Sequence, residues 1–202
     1  MHTLHSLPRP RRLAAALLAA GMVLTGGGLT ACSTTAGHTA ASPSAQRAEI
    51  DSAADAALQR LYENAPDARQ LVRDAKGVLI FPTVVRAGLV VGGEYGRGVL
   101  RVGNQTAGYY RTAAGSLGLQ AGAQSSATIL LFMTDEALAK FRNSNGWTVG
   151  ADATVAVAHV GANGNIDTQT MQQSVIGFVL NNAGLMAGVS LEGSRITRIA
   201  DL

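Results

Sequence analysis

Cys32 is the only cysteine in 202 residues, and it closes the run Leu29-Thr30-Ala31-Cys32. A single thiol excludes a disulfide within the chain, and with no further Cys and no clustered His beside it a metal site lacks its ligands. What remains is the nucleophilicity of a thiolate. A second set of reactive residues is Ser116, Asp152 and His159, in the chain order of an α/β hydrolase, with Ala114 to Gly118 approximating the G-x-S-x-G elbow. That elbow needs a strand, a strained turn and a helix, whereas the residues after Ser116 continue as β-type sequence, so no catalytic residue and no enzyme activity are expected. The run Gly93 to Gly98, "GEYGRG", has its glycines in the wrong order for a dinucleotide loop and reads as a hairpin. No cofactor and no metal are expected.

Upstream of Cys32, Arg9, Arg11 and Arg12 precede the apolar run Leu13 to Leu24, which is of export-signal length and shorter than the roughly 20 residues that span a bilayer. With Cys32 as acceptor the pattern resembles a bacterial lipoprotein precursor: residues 1–31 as signal peptide, then a thioether-linked lipid and fatty acids such as palmitate on Cys32. More than one acyl chain makes such an anchor stable. The alternative is an ordinary secretory signal with a chance cysteine. Ser33 follows the cysteine in place of the aspartate that commonly holds lipoproteins at an inner membrane, so in a cell with two membranes the outer one is expected, on the periplasmic or surface side. The 16 Lys and Arg include Arg9, Arg11 and Arg12, and none of the 13 Asp and Glu precede Cys32, so the processed chain is formally neutral. It lacks the basic excess of phosphate-backbone binders, and no nucleic acid partner is expected.

The elements that would position these residues follow a tether, residues 32–44, which is small, polar and without apolar period. Residues 45–202 form the folded domain. Ile50, Ala54, Ala57, Leu58, Leu61 and Tyr62 recur at helical spacing, with Ser44 as the expected N-cap. After the break at Pro66 a second short helix is expected through Lys76, stopped by Gly77. On it Arg69, Arg73 and Lys76 fall at i, i+4 and i+7. Two readings of that face stay open: a clamp for an anionic head group, and a solvated face balanced by neighbouring acids. From Gly77 onward short Val, Ile, Leu and aromatic runs punctuated by Gly and Asn predict an antiparallel sheet. His159 alternates with Val155 and Val157 in one such run. Thr134 to Asn143 interrupts them with an N-cap, early acids and late bases, and predicts an inserted helix. The many glycines in the strand runs predict bends and bulges, hence an α+β fold: a curled antiparallel sheet or partial barrel with two N-terminal helices and one inserted helix.

Six blocks carry a resemblance: Gly77 to Pro82, Ala87 to Leu100, Gly115 to Gln124, Phe132 to Phe141, Gly150 to Ala162, and Asn181 to Ile199. In this order and spacing they resemble the SYLF domain family, over about Ala45 to Leu202. The resemblance implies a lipid-binding module, since eukaryotic members bind phosphoinositides and shape membranes, some also touching actin. In those members an N-terminal amphipathic helix with basic residues carries the binding. Here the matching region, Arg47 to Lys76, mixes Arg60, Arg69, Arg73 and Lys76 with Glu49, Asp51, Asp55, Glu63, Asp67 and Asp74. Phosphoinositides are also unusual in bacterial envelopes, so the expected ligand is an anionic lipid, phosphoinositide-like or another.

The reading is an envelope lipoprotein anchored to the membrane through Cys32, with a non-catalytic domain that binds anionic lipid. The alternative is a structural or protein-partner-binding envelope lipoprotein in which the lipid serves only as anchor.

Overall fold

Proline decides where the first helix starts. Pro43 has no amide hydrogen to leave unpaired in a first turn, and Ser42 Oγ accepts from Ala45 N at 3.2 Å. Helix α1 therefore runs Pro43–Asn64, and the N-cap is Ser42 rather than Ser44. The computed structural model describes residues 41–88, 91–117, 122–159, 166–186 and 188–202. Cys32, the expected signal segment and the expected tether up to residue 40 lie outside the described residues, as do Gly118 and the side chain of Ser116. Ala40–Leu202 is one compact unit, and both of its apolar clusters are built from its own residues.

Helix α1 buries Ile50, Ala54, Ala57 and Leu61, a stripe whose two alanines let the backbone come close to a sheet. Leu58 and Tyr62, expected on the same stripe, flank it and are only partly buried. Helix α2, Ala68–Asp74, is shorter than its sequence pattern. Ala75 turns extended (ψ 137), and Lys76 N donates to Phe132 O at 2.8 Å, which draws the chain into the sheet before another helical turn can form.

Among the described residues the sheet has nine strands: β1 Gly77–Gly88, β2 Val91–Val102, β3 Gln105–Leu117, β4 Gly122–Phe132, β5 Trp147–Thr148, β6 Ala156–Val157, β7 Val175–Asn181, β8 Gly184–Leu185 and β9 Arg195–Arg198. Their order is β5-β9-β3-β2-β1-β4-β7-β6, with β8 on β7, and the sheet curls into an open half-barrel. The expected α+β fold with a curled sheet is what forms. Pairing is antiparallel except between β6 and β7, which is parallel. Among the described residues 152–159 only the two of β6 form a strand; His159 lies past that strand and is exposed.

Pro82 stands inside central β1, where a residue without an amide hydrogen breaks a ladder. The register shifts around it on both sides: Ile80 pairs Val99 and Thr83 pairs Arg97 on β2, while Phe81 pairs Thr128 and Val84 pairs Ser126 on β4. Two residues of β1 thus oppose Gly98 alone, a bulge that adds curl. The expected hairpin at Gly93 to Gly98 is instead the interior of β2, and none of Gly93, Gly96 and Gly98 has a positive φ.

One face of the sheet carries α1 and α2 over Val78, Ile80, Val99, Ile129 and Phe178. The other carries helix α3, Asp135–Asn143, capped by Thr134 Oγ1 accepting from Ala137 N at 3.2 Å, with Asp135 and Glu136 in its first turn and Lys140 and Arg142 in its last. Its Phe141 ring lies 4.8 Å from Phe132, 5.0 Å from Tyr110 and 5.5 Å from Trp147. Each such buried side chain contributes about 1.5–3 kcal/mol of transfer free energy. A last short helix, α4 Thr168–Met171, precedes β7.

Candidate functional site

A groove opens where α1 and α2 meet the start of β1 and the end of β2. Leu58 and Tyr62 come from α1, Val72 and Arg73 from α2, Val78 from β1 and Arg101 from β2; Ala75, Gly103 and Asn104 complete the wall. Gly103 takes φ 59 in the two-residue turn between β2 and β3, a left-handed conformation that glycine adopts without strain. The floor is apolar because Leu58 and Val72 sit beside the buried stripes of their helices and Val78 begins the core of β1.

Three guanidinium groups converge on Tyr62. The Arg69 guanidinium lies over its ring, 4.5 Å from the centroid, a cation–π contact. Arg73 and Arg101 share the groove with it. Burial raises the Tyr62 pKa from 10.0, and the positive charges of Arg69, Arg73 and Arg101 act against that rise. The phenol stays neutral at ordinary pH, with its hydroxyl able to donate or accept.

The two groove arginines are held differently. Arg101 Nη1 donates to Asp55 Oδ1 at 2.5 Å and its Nη2 to Asp51 O at 3.2 Å, while Tyr109 Oη donates to Asp51 Oδ2 at 2.8 Å. This ties α1 to β2 and β3 and fixes the Arg101 fork. Asp55 is largely exposed, its side chain at 68%, so that pair is screened by water and contributes little to stability. Arg73 donates to Gln70 Oε1, and Gln70 Nε2 reaches Asp74 Oδ1 at 2.8 Å. Among the described residues neither Arg69 nor Arg73 forms an ion pair.

The expected basic face is thus brought together in part. Arg69 and Arg73 converge through Tyr62, but α2 ends at Asp74, so Lys76 is not on its helical face. Lys76 is exposed in the extended link to β1 and does not line the groove. Arg101 replaces it and was not legible as a partner. Its parity with Val99, which is buried under α1, is the signal that a cation faces the helices at the edge of the core.

The hydrolase-like residues fall elsewhere. Ser116 is paired through its backbone with Gly92, and Asp152 Oδ2 accepts from Thr148 N at 2.6 Å, closing a turn. The groove walls contribute no Ser, Cys, His or carboxylate; they offer apolar contact, planar donors and a phenol. Among the described residues no group of three His, Cys, Asp or Glu is placed to hold a metal ion, and no helix is long and apolar enough to cross a membrane.

The profile of the Ysc84 family, described as "Las17-binding protein actin regulator", matches residues 113–202. The C-terminal part matches the Ysc84 (SYLF) family. Among relatives, the SH3 domain-containing YSC84-like protein 1 of Homo sapiens and that of Pongo abelii are each 30% identical over 140 residues, covering 65% of this chain and 40% of theirs. The Bos taurus protein of the same name is 27% identical over 139 residues, with the same coverage. The alignment spans 40% of the relatives' length, so this chain corresponds to a part of those proteins. The Ysc84 match runs from β3 to the C-terminus, while the groove walls come from the elements before it.

Proposed function

We propose that this chain is a membrane-anchored lipoprotein of the bacterial envelope whose SYLF-like domain binds anionic lipid without catalysing a reaction. One observation carries the lipid-binding part: Arg73 and Arg101 stand over an apolar floor of Leu58, Val72 and Val78, beside Tyr62. A phosphate between two guanidinium forks gains charge-assisted hydrogen bonds, Arg69 adds positive charge from the Tyr62 ring, and the first carbons of an acyl chain lie on the floor. Lys76 adds attraction from the rim rather than contact. Cys32 carries the anchor, and the outer membrane is its place in a cell with two membranes.

A second reading has its own support. The matching family is described by a protein partner and by actin regulation, which favours a partner-binding envelope lipoprotein whose lipid is only an anchor. Mass spectrometry of the domain purified from its native membrane separates the two. Retained anionic phospholipid, lost from the Arg73→Gln, Arg101→Gln variant, supports the first reading. A domain free of lipid and accompanied by a stoichiometric protein supports the second. The anchor is tested separately: Cys32→Ser should abolish incorporation of labelled palmitate, and unchanged labelling would refute the lipoprotein assignment.

A further inference from the structure

Helix α1 does not cover the whole face on which it lies. Its start is marked by Arg97 Nη1 donating to Gln46 Oε1 at 2.7 Å; beyond that point the sheet is uncovered among the described residues. Val85 is 46% exposed, Tyr95 52% and Val91 70%. Val85 and Tyr95 are direct cross-strand partners, and Ala87, Ala113 and Ala123 extend the same surface, all exposed and at the same parity. This is a sheet end of small and apolar side chains with one outward-facing aromatic, a surface that a water-facing sheet ordinarily avoids.

Its border is basic. Arg97 and Arg111 are paired directly across β2 and β3, and Arg195 is opposite Ala113 on β9. Like charges facing each other across a ladder destabilise it. Among the described residues none of the three arginines forms an ion pair, and the acid of this region, Glu94, points to the other face, where its Oε2 accepts from Arg86 Nε at 2.5 Å. In a domain with no overall excess of charge, three cations thus gather beside an apolar patch with no acid among them.

We infer that this sheet end is the surface that seats on an anionic membrane, with Val85, Val91 and Tyr95 at the level of the lipid head groups and Arg97, Arg111 and Arg195 against their phosphates. The inference rests on the lipid reading above and adds a place of contact distinct from the groove. The position of the anchor favours a membrane over other partners. The first turns of α1 meet the basic border of this patch through Gln46 on Arg97, and Cys32 is ten residues upstream of the N-cap Ser42. Ten residues of chain reach at most about 35 Å, so the lipid proposed above for Cys32 would keep the bilayer within that reach of Ser42. A tyrosine in such a patch has the apolar body and polar tip suited to the interface.

The unit Ala40–Leu202 carries its complete core and contains no cysteine, so one introduced thiol takes one label. Val85→Cys and Tyr95→Cys, each bearing an environment-sensitive fluorophore, are to be mixed with phosphatidylcholine vesicles with and without phosphatidylglycerol. Ala139→Cys, exposed on α3 at the opposite face, is the control. Labels at 85 and 95 should shift to the blue and brighten several-fold only with the anionic vesicles, and the control should not. With unlabelled protein, Arg97→Gln combined with Arg111→Gln should weaken vesicle affinity by roughly tenfold or more, with unchanged melting. Co-sedimentation without a change at 85 or 95 overturns the inference and leaves the groove reading standing. A change that follows protein concentration without vesicles assigns the face to a second copy and also overturns it. Absence of vesicle binding overturns it too, while the groove is then judged by its own titration with a soluble lipid.

Discussion

A methyl group added at Gly98 has nowhere to go. Its Cβ would press on Ile80 O and lie 2.6 Å from Phe81 Cδ1, because the bulge at Pro82 pushes two residues of β1 against this single position. At Gly93 the nearest atom is Ala114 O at 3.9 Å, ordinary contact. Gly98→Ala should therefore cost about 1–3 kcal/mol as an overpacked site, while Gly93→Ala should stay within about 0.5 kcal/mol. Urea unfolding of the two variants checks this; equal midpoints would contradict the bulge as the reason for the glycine. The sequence pointed to both glycines as backbone devices but not to which one matters. The reason lies in a register shift created by Pro82 on a neighbouring strand, and no local pattern encodes the partner opposite. For the same reason "GEYGRG" reads locally as a turn and is the middle of a strand.

At the scale of elements, legibility follows how local the cause is. Helix α3 was readable end to end because its cap, its acids and its bases are its own residues. The end of α2 was not, because it is set by Lys76 N reaching Phe132 O, more than fifty residues on. That long-range bond takes Lys76 off the basic face, and a cross-strand parity brings Arg101 onto it. The consequence is testable in the lipid retained on purification: Arg73→Gln should lose most of it and Lys76→Gln little, since a rim charge contributes only about 0–1 kcal/mol through water. Equal losses would mean that the groove discriminates by charge alone, without the geometry of its walls.

For the whole molecule, the curled sheet with two N-terminal helices and one inserted helix and the SYLF likeness were legible from strand texture and six spaced blocks. The basic, apolar sheet end was not, since its residues come together only through pairing of β1, β2, β3 and β9. The two faces also set a pH dependence. Tyr62 and Tyr109 on the α1 side and Tyr110 on the α3 side all have pKa values raised above 10.0, in each case chiefly by burial. The folded chain keeps these protons where the unfolded chain has released them. Their contribution is full below pH 10.0 and is lost as pH rises above it through the raised values. Thermal midpoints should fall more steeply above pH 10.0 than below it, and Tyr110→Phe should make that fall shallower; an unchanged slope in the variant would contradict the burial of Tyr110 as its cause.

The central claim is that the groove between α1, α2 and the β1–β2 pair seats one anionic lipid. Titration of the isotopically labelled domain with a short-chain, water-soluble phosphatidylglycerol, followed by NMR, tests it most directly. The account predicts saturable shifts centred on Tyr62, Val72, Val78 and Arg101, none with the matching phosphatidylcholine, and affinity lowered about tenfold by Arg73→Gln, as loss of a hydrogen bond to a charged group entails. Saturable shifts centred elsewhere, or no difference between the two lipids, would contradict it.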